Sequence, residues 1–458
     1  MARYQKALFI FRRDLRLFDN TGLSAALAQS ERVIPAFVFD PRQIEPHPYQ
    51  SQPALQFMLQ ALDDLQEQIA EQAGTLYYFH DRPENVISRL QIAESIEAVF
   101  VNRDYTPFSL QRDAQLQQCC RQLELDFYSA SDLLLTEPEQ VCKDNQEPYR
   151  IFTPFYKRAR QFPVALPRAL SPGRLANSTA IDSNADWAQT LKKPHHNAQR
   201  GGRQAALALL DDMDQHRDYA GRRDFPALAA TTGLSAYLKF GCCSIREAYY
   251  GIMETLGEEH PLLRQLYWRD FFTHIAFHFP HVFGQAFHRQ YDALPWRNNP
   301  DDFQAWTCGR TGFPIIDAGM RQLNATGWMH TRVRMLTASF LAKDLLVDWR
   351  WGERYFARHL LDYDPSINNG NWQWAASTGC DAQPYFRLFN PWLQQRKFDA
   401  DCLYIKQWLP ELRPFPAAVI HDWHRQPQPG DYPAPIIDHT LRSRQTKALF
   451  QSLQKPGA

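Results

Sequence analysis

Short apolar runs alternate with longer amphipathic stretches through residues 6–130. KALFIF, RVIPAFVFD, TLYYF, AVFVN and LDFYSA read as buried strands. TGLSAALAQS, QPALQFMLQALDDLQEQIAEQ, PENVISRLQIAE and FSLQRDAQLQQCCRQL carry the apolar spacing of helices. Strand–helix alternation at this interval predicts an α/β domain over residues 1–135, a doubly wound, Rossmann-like parallel sheet whose ligands lie beyond the carboxyl ends of its strands. Phe39-Asp40 and Asn102-Arg103-Asp104 mark two of those ends. The turn after the first strand reads FRRDLRLFDN and holds no GxGxxG, which disfavours a dinucleotide-dependent dehydrogenase.

Between 160 and 200 the periodicity dissolves around Pro163, Pro167, Pro172 and Pro194. The segment 136–200 is therefore expected to be a connector running over the surface. Helical patterning resumes at GGRQAALALL and dominates to about residue 410, so 201–458 is expected to form a large all-α domain. An irregular proline-rich stretch follows, then a last helix near 441–453.

Composition narrows the class. Lysine plus arginine equals aspartate plus glutamate, 50 against 50. That excludes a globally basic nucleic-acid coat but leaves room for a local basic patch. Eight cysteines include no CxxC pair and no zinc or iron–sulfur spacing. With no apolar run of signal or membrane type, a reduced, cytoplasmic, metal-free protein is expected. Aromatic residues concentrate at 328–374, where Trp328, Trp349, Trp351, Trp372 and Trp374 mix with Arg332, Arg334, Asp362 and Asp364. Asn368-Asn369-Gly370 reads there as a turn. The mixture suits a planar, phosphate-bearing ligand, and a tryptophan-rich core with surface arginines fits the composition equally well.

Long blocks in a fixed order decide between these. FRRDLRLFDN, TTGLSAYLKFG, LYWRDFF, GFPIIDAGMRQLNATGWMHTRVRM and NNGNWQWAASTGCDAQPYFRLFNP together resemble the DNA photolyase/cryptochrome family, most closely its class I cyclobutane-pyrimidine-dimer photolyases. The likeness runs through nearly the whole chain. It implies a light-driven lyase, usually monomeric, in which reduced FAD donates an electron to a pyrimidine dimer flipped out of UV-damaged DNA. A cryptochrome-like photoreceptor is the alternative.

By motif, the resemblance places the flavin phosphates at Tyr219, Thr231, Thr232, Leu234 and Ser235, although Thr and Ser there also read as a simple helix cap. Gly233 stands where many relatives carry arginine. Arg269 joins the cofactor contacts. Arg334 and Asp362 match a salt bridge beside the isoalloxazine, Asp364 matches a contact to its ring or ribityl edge, and Asn368 matches the residue facing N5. Trp372, Trp349 and Trp296 match an electron relay to the surface. Trp268 and Trp374 match aromatic walls around the dimer, with Met335 beside it. Arg223, Arg332 and Arg387 are implied at flanking phosphates; for Arg396 and Lys397 simple solvation reads as well.

Two positions depart from class I. Gln265 replaces a glutamate and Thr331 an asparagine, both of which bond the dimer's base edges. Gln265 can donate and accept but cannot act as an acid, so altered repair efficiency or preference is expected. Finally, the loop NRDYTPFSL lacks the Asn-Glu pair of pterin-binding members. With the lysine of YLKFG it is similar to the deazaflavin-binding ones, which implies 8-hydroxy-5-deazaflavin as antenna at Asp104 and Lys239, with FMN or a pterin as alternatives.

Overall fold

A computed structural model describes residues 2–228, 230–380 and 388–454. Five strands form one parallel sheet: β1 (Tyr4–Phe11), β2 (Ser30–Phe39), β3 (Tyr77–His80), β4 (Ala98–Asn102) and β5 (Asp126–Ala130), in the order β3-β2-β1-β4-β5. The connecting helices are α1 (Thr21–Gln29), α2 (Gln52–Glu71), α3 (Pro83–Glu94) and α4 (Pro107–Gln122). Residues 7–11 of β1 are all buried, as a strand covered on both faces requires. The order reverses between β1 and β4, opening a crevice at their carboxyl ends. Asn102 lines it: its side-chain oxygen accepts from Gly22 N at 2.9 Å. A Cβ on Gly22 would meet that oxygen at 2.7 Å.

The expected surface connector is partly structural. At the start of β2, where β3 has not yet begun to pair, Val33 N bonds Arg174 O and Ala176 N bonds Val33 O, at 2.9 and 2.7 Å. Trp187 stacks on His80 with ring centres 3.7 Å apart. A single bridge at Leu175 and one tryptophan are too short to leave a periodic signal among prolines. Another part, α5 (Phe152–Ala159), packs against the helical domain through Phe152.

The helical half includes α6 (Ser235–Phe240), α7 (Pro261–His278), α8 (Thr331–Ser339), α9 (Trp349–His359), α10 (Pro365–Ala376) and α11 (His439–Gln454). No strand occurs after residue 130 among the described residues. No described helix is long and apolar enough to cross a membrane.

The two halves share one hydrophobic cluster, with Phe57 of α2 stacked on Phe240 of α6 at 5.4 Å. Polar staples surround it. Leu15 N bonds Phe240 O at 3.0 Å, and the Asp270 carboxylate accepts from Leu135 N and Thr136 N at 2.9 and 3.1 Å. Gly241 closes α6 in the left-handed region at φ 65°, and a Cβ there would sit 2.2 Å from Arg13 O.

The second core lies between α8, α9 and α10, around Trp306, Trp349 and Trp372. Gly352 lets Trp372 lie directly against α9: a Cβ would approach its Cη2 to 2.1 Å and Leu341 Cδ2 to 2.5 Å. Neither neighbour can yield, since both are buried. Gly352→Ala should therefore destabilise the chain by about 1–3 kcal/mol through overpacking, despite alanine's better helix propensity. Denaturant unfolding would measure this, and an unchanged or raised midpoint would contradict the packing described.

Candidate active site

Two carboxylates separated by one residue do different work. Asp362 takes a two-pronged bond from Arg334, NH1 to Oδ1 at 3.1 Å and NH2 to Oδ2 at 3.0 Å. Arg334 Nε also donates to Met329 O at 2.7 Å, fixing the guanidinium plane. Ser235 Oγ donates to Asp362 at 2.7 Å, which brings the start of α6 to the same place. Asp364 instead caps α10, accepting from Ser366 N and Ile367 N at 3.0 and 3.1 Å, and it pairs with Arg13. Burial works against the Asp364 charge, but Arg13 and Lys239 outweigh it and hold the carboxyl below its ordinary range.

The Asp364 cap and Pro365 at the first helical position start a helix that runs straight through Asn368-Asn369-Gly370. The expected turn is not there. The amides are absorbed by other partners: Asn368 Nδ2 donates to Glu353 O at 3.2 Å, and Asn369 Nδ2 to Val282 O at 2.9 Å and to Glu353 Oε1 at 3.2 Å. Gly370 makes room for Phe272, whose ring a Cβ would meet at 2.1 Å. Asn368 itself is buried.

Around the start of α6, Tyr219 is buried with the Arg223 guanidinium over its ring at 5.6 Å, and Thr231 and Thr232 are half-buried. Leu234, at the cap position, offers no side-chain acceptor, so the helix's leading N–H groups lack the usual serine or threonine cap. Ser235 is committed to Asp362 rather than to capping. Gly233 has φ 68°, and a Cβ would come within 2.5 Å of Gln199 Nε2. That backbone explains why no arginine stands there. Hydroxyls and uncapped N–H groups at one end, with a paired guanidinium and a buried amide side chain at the other, fit a long ligand carrying phosphate and an electron-accepting ring.

On the outer side of this site Gln265 is half-buried on α7, one turn before Trp268. Trp268 stacks on Phe152 with centres 3.6 Å apart and planes at 7°, and on Phe272 at 5.5 Å, so part of its surface is already covered. α8 presents an exposed Thr331 and half-buried Arg332 and Met335. Arg332 is engaged by Asp224 at 2.7 Å and lies over Phe398 at 4.6 Å. Trp374, on α10, is half-buried and 6.4 Å from Phe389. Arg396 pairs with Asp422 at 2.6 Å, and Lys397 lies over Phe398 at 5.1 Å. Arg387 lies outside the described residues.

The chain matches the family model for DNA photolyase over residues 7–172 and that for the FAD binding domain of DNA photolyase over 262–452. A deoxyribodipyrimidine photo-lyase of Alkalihalophilus pseudofirmus is 38% identical, covering 96% of this chain and 97% of its own. The chain belongs to the DNA photolyase family. Among solved structures, the archaeal photolyase from Sulfolobus tokodaii with two FAD molecules is 44% identical, with TM-score 0.90 over 98% of this chain and 100% of that one. A Synechocystis cryptochrome is 27% identical, with TM-score 0.89 over 98% and 100%.

Within the photolyase fold Trp372 and Trp349 are both buried, on α10 and α9, and Trp296 is half-buried. Among the described residues no ring contact joins these three directly. Trp372 touches Phe356 at 4.9 Å and Trp306 at 6.2 Å, edge to face. Trp306, which no sequence pattern singled out, donates its indole N–H to Thr337 O at 3.1 Å. Arg269 is placed at the domain joint, donating to Leu133 O at 2.7 Å and Leu238 O at 3.4 Å.

Asp104 and Lys239 are brought together by a residue that sequence reasoning missed, Arg13. Its NH1 donates to Asp104 at 3.1 Å and its Nε to Lys239 O at 3.1 Å, while NH2 reaches Asp364. Burial opposes the Asp104 charge, but Arg13, Arg112 and Lys239 hold it well below the usual carboxylate range. Burial, with Arg13 adding to it, pushes Lys239 down to about 8. The only signal for Arg13 was the basic pair leaving β1.

Glu353, beneath the two asparagines, is pushed up from 4.5 to about 7 by burial. The folded chain therefore holds a proton that an unfolded glutamate has already released, and stability falls as pH rises between about 4.5 and 7. The span amounts to on the order of 3 kcal/mol. Glu353→Gln should flatten the melting temperature across that window, and an unchanged pH profile would contradict the burial argument.

Proposed function

We propose that this chain splits cyclobutane pyrimidine dimers in UV-damaged DNA under light, holding reduced FAD between α6, α8 and α10. The observation that carries this reading is the junction of Arg334–Asp362 with Ser235 on one side and, on the other, the buried Asn368 side chain, held by its Nδ2 on Glu353 O. When bound, reduced FAD supplies one electron to the dimer on excitation and recovers it after the ring has opened. The residues do the rest. Arg334 offers positive charge to an anionic ring, and Asp362 makes that charge tolerable away from water. Asn368 Oδ1 is placed to accept an N–H. The first turn of α6, with Thr231 and Thr232, takes the phosphates. Trp372, Trp349 and Trp296 would refill the flavin from the surface.

The dimer would enter beside Trp268, Trp374 and Met335, with Arg223, Arg332 and Arg387 at the flanking phosphates. Flipping the damaged bases out of the duplex is a known device of photolyases rather than a result drawn from this geometry. Gln265 can bond a base edge in either direction but cannot lend a proton, and Thr331 is short enough to need a bridging water. Both changes favour a repair yield below that of a glutamate-bearing site. They also supply the second reading, a photoreceptor, to which the likeness to a cryptochrome contributes.

At the strand ends, Asp104 and Lys239 would hold a second chromophore. The deazaflavin reading rests on that loop and lysine; the relative with two FAD molecules favours a flavin instead.

Fluorescence titration with UV-irradiated and unirradiated oligothymidylate tests the pocket. Irradiated DNA should bind more tightly, and Trp374→Ala should weaken it by about 1–3 kcal/mol, roughly 5- to 150-fold. Equal affinity for both DNAs would overturn the reading. Gln265→Glu should raise the quantum yield of repair; an unchanged yield would remove the role given to this position.

A further inference from the structure

The indole ring of Trp296 is half-exposed, yet its Nε1 is buried and finds no acceptor among the described residues. We propose that the C-terminal helix α11 seals this N–H from water, so that Trp296, once oxidised, keeps its proton. The proposal rests on the reading of Trp296 as the outer member of the relay.

The seal is a small apolar cluster. Ala286, Tyr291, Leu294 and Phe450 are buried together, and Trp296, Leu449 and Leu453 pack against them. Three of these side chains belong to α11. The helix is held in place by buried polar contacts to a single π-helical turn, Phe340–Asp344, which joins α8 to the segment before α9. His439 Nδ1 meets Asp344 Oδ1 at 2.6 Å, and Thr446 Oγ1 donates to Lys343 O at 2.6 Å. Asp344 and Thr446 are fully buried. Behind the same turn, Lys343 Nζ donates to Ser377 Oγ at 2.7 Å, tying it to the end of α10, which carries Trp372. The strand-like segment bearing Trp296 is fastened from the other side, where Arg297 N bonds Leu346 O at 2.7 Å.

The chemical consequence follows from the acidity of an oxidised indole. A tryptophan that has lost one electron is acidic at Nε1, to about the degree of a carboxylic acid. Where that N–H touches water the proton leaves, and the resulting neutral radical no longer draws the electron back. In this chain the N–H is buried and meets no acceptor among the described residues, and the same holds for Trp372 Nε1. The hole therefore remains a protonated cation. The displaced electron returns to it unless an external one-electron donor arrives first. A thiol reductant would do so by giving one electron to Trp296 and its own proton to water. α11 thus makes light-driven flavin reduction depend on the reductant at the surface rather than on proton loss to solvent.

The first test needs no flavin chemistry. In protein carrying ¹⁵N-labelled tryptophan, the indole signal of Trp296, assigned by its loss in Trp296→Phe, should exchange slowly with deuterated water. Leu453→Ala and the double variant Leu449→Ala/Leu453→Ala should each speed this by about tenfold or more, because exchange reports local opening. Phe450→Ala provides a further opening should the pair leave the packing intact. Rapid exchange in the unaltered protein, or no acceleration in any variant, overturns the seal. The second test is transient absorption of the flavin-loaded protein. The tryptophan cation should persist in the unaltered chain and convert to the neutral radical in the leucine variants. Conversion at the same rate in both overturns the proposal. If exchange is slow but Trp296→Phe leaves light-driven reduction intact, the relay reading is what fails, and the proposed role of α11 falls with it.

Discussion

Charge taken out of water at the joint between the two domains must be matched group by group, and the molecule is arranged around that requirement. Arg13 is its centre. Leaving β1, it meets Asp104 from the end of β4, the Lys239 carbonyl from α6, and Asp364 from the start of α10. Arg16 and Arg246 share Asp132 close by, at 2.6 and 2.7 Å. Removing one member of such a pair leaves a buried charge uncompensated, at about 3–5 kcal/mol, whereas an apolar replacement of the whole set can be neutral. The set therefore contributes less to stability than to geometry. It sets the crevice of the sheet and the first turn of α10 at a defined distance and angle.

The site inherits its precision from that joint. Because Asp364 is both Arg13's partner and the cap of α10, the position of Asn368 one turn later follows from it. Arg334 arrives on α8 and is fixed by Met329 O and Asp362, and Ser235 arrives on α6. Elements far apart in the chain thus converge on one small volume, each held there by a side-chain hydrogen bond. Trp372 and Gly352 supply the apolar counterpart, letting α9 and α10 approach closely enough for Glu353 to reach both asparagines.

Much of this was legible in the sequence, for definite reasons. The strands β1 and β4 were plain because both faces are covered and their runs are nearly continuously apolar, whereas the edge strand β5 is only partly buried. The family motifs were plain because they are long and fixed in order, and they carried Arg334, Asp362 and the tryptophans with them. What escaped depended on contacts across the chain. Nothing local shows that Arg13 will find Asp364 more than three hundred residues away. Asn368-Asn369-Gly370 reads as a turn until Asp364 and Pro365 are seen to start a helix whose amides Glu353 and Val282 absorb. The Leu175-Ala176 pair looks like linker because a single bridge has no period. Trp306 carries no motif of its own, and its importance lies only in what it touches.

The claim that binds these parts is that light drives bond cleavage in a dimer seated on this pocket. The most direct measurement uses anaerobic, photoreduced protein with UV-irradiated oligothymidylate, following recovery of the thymine absorbance under blue light against a dark control. Recovery in the light alone is the predicted result. Fully reduced protein that binds the DNA yet restores no absorbance would contradict the account and leave light sensing as the function of the fold.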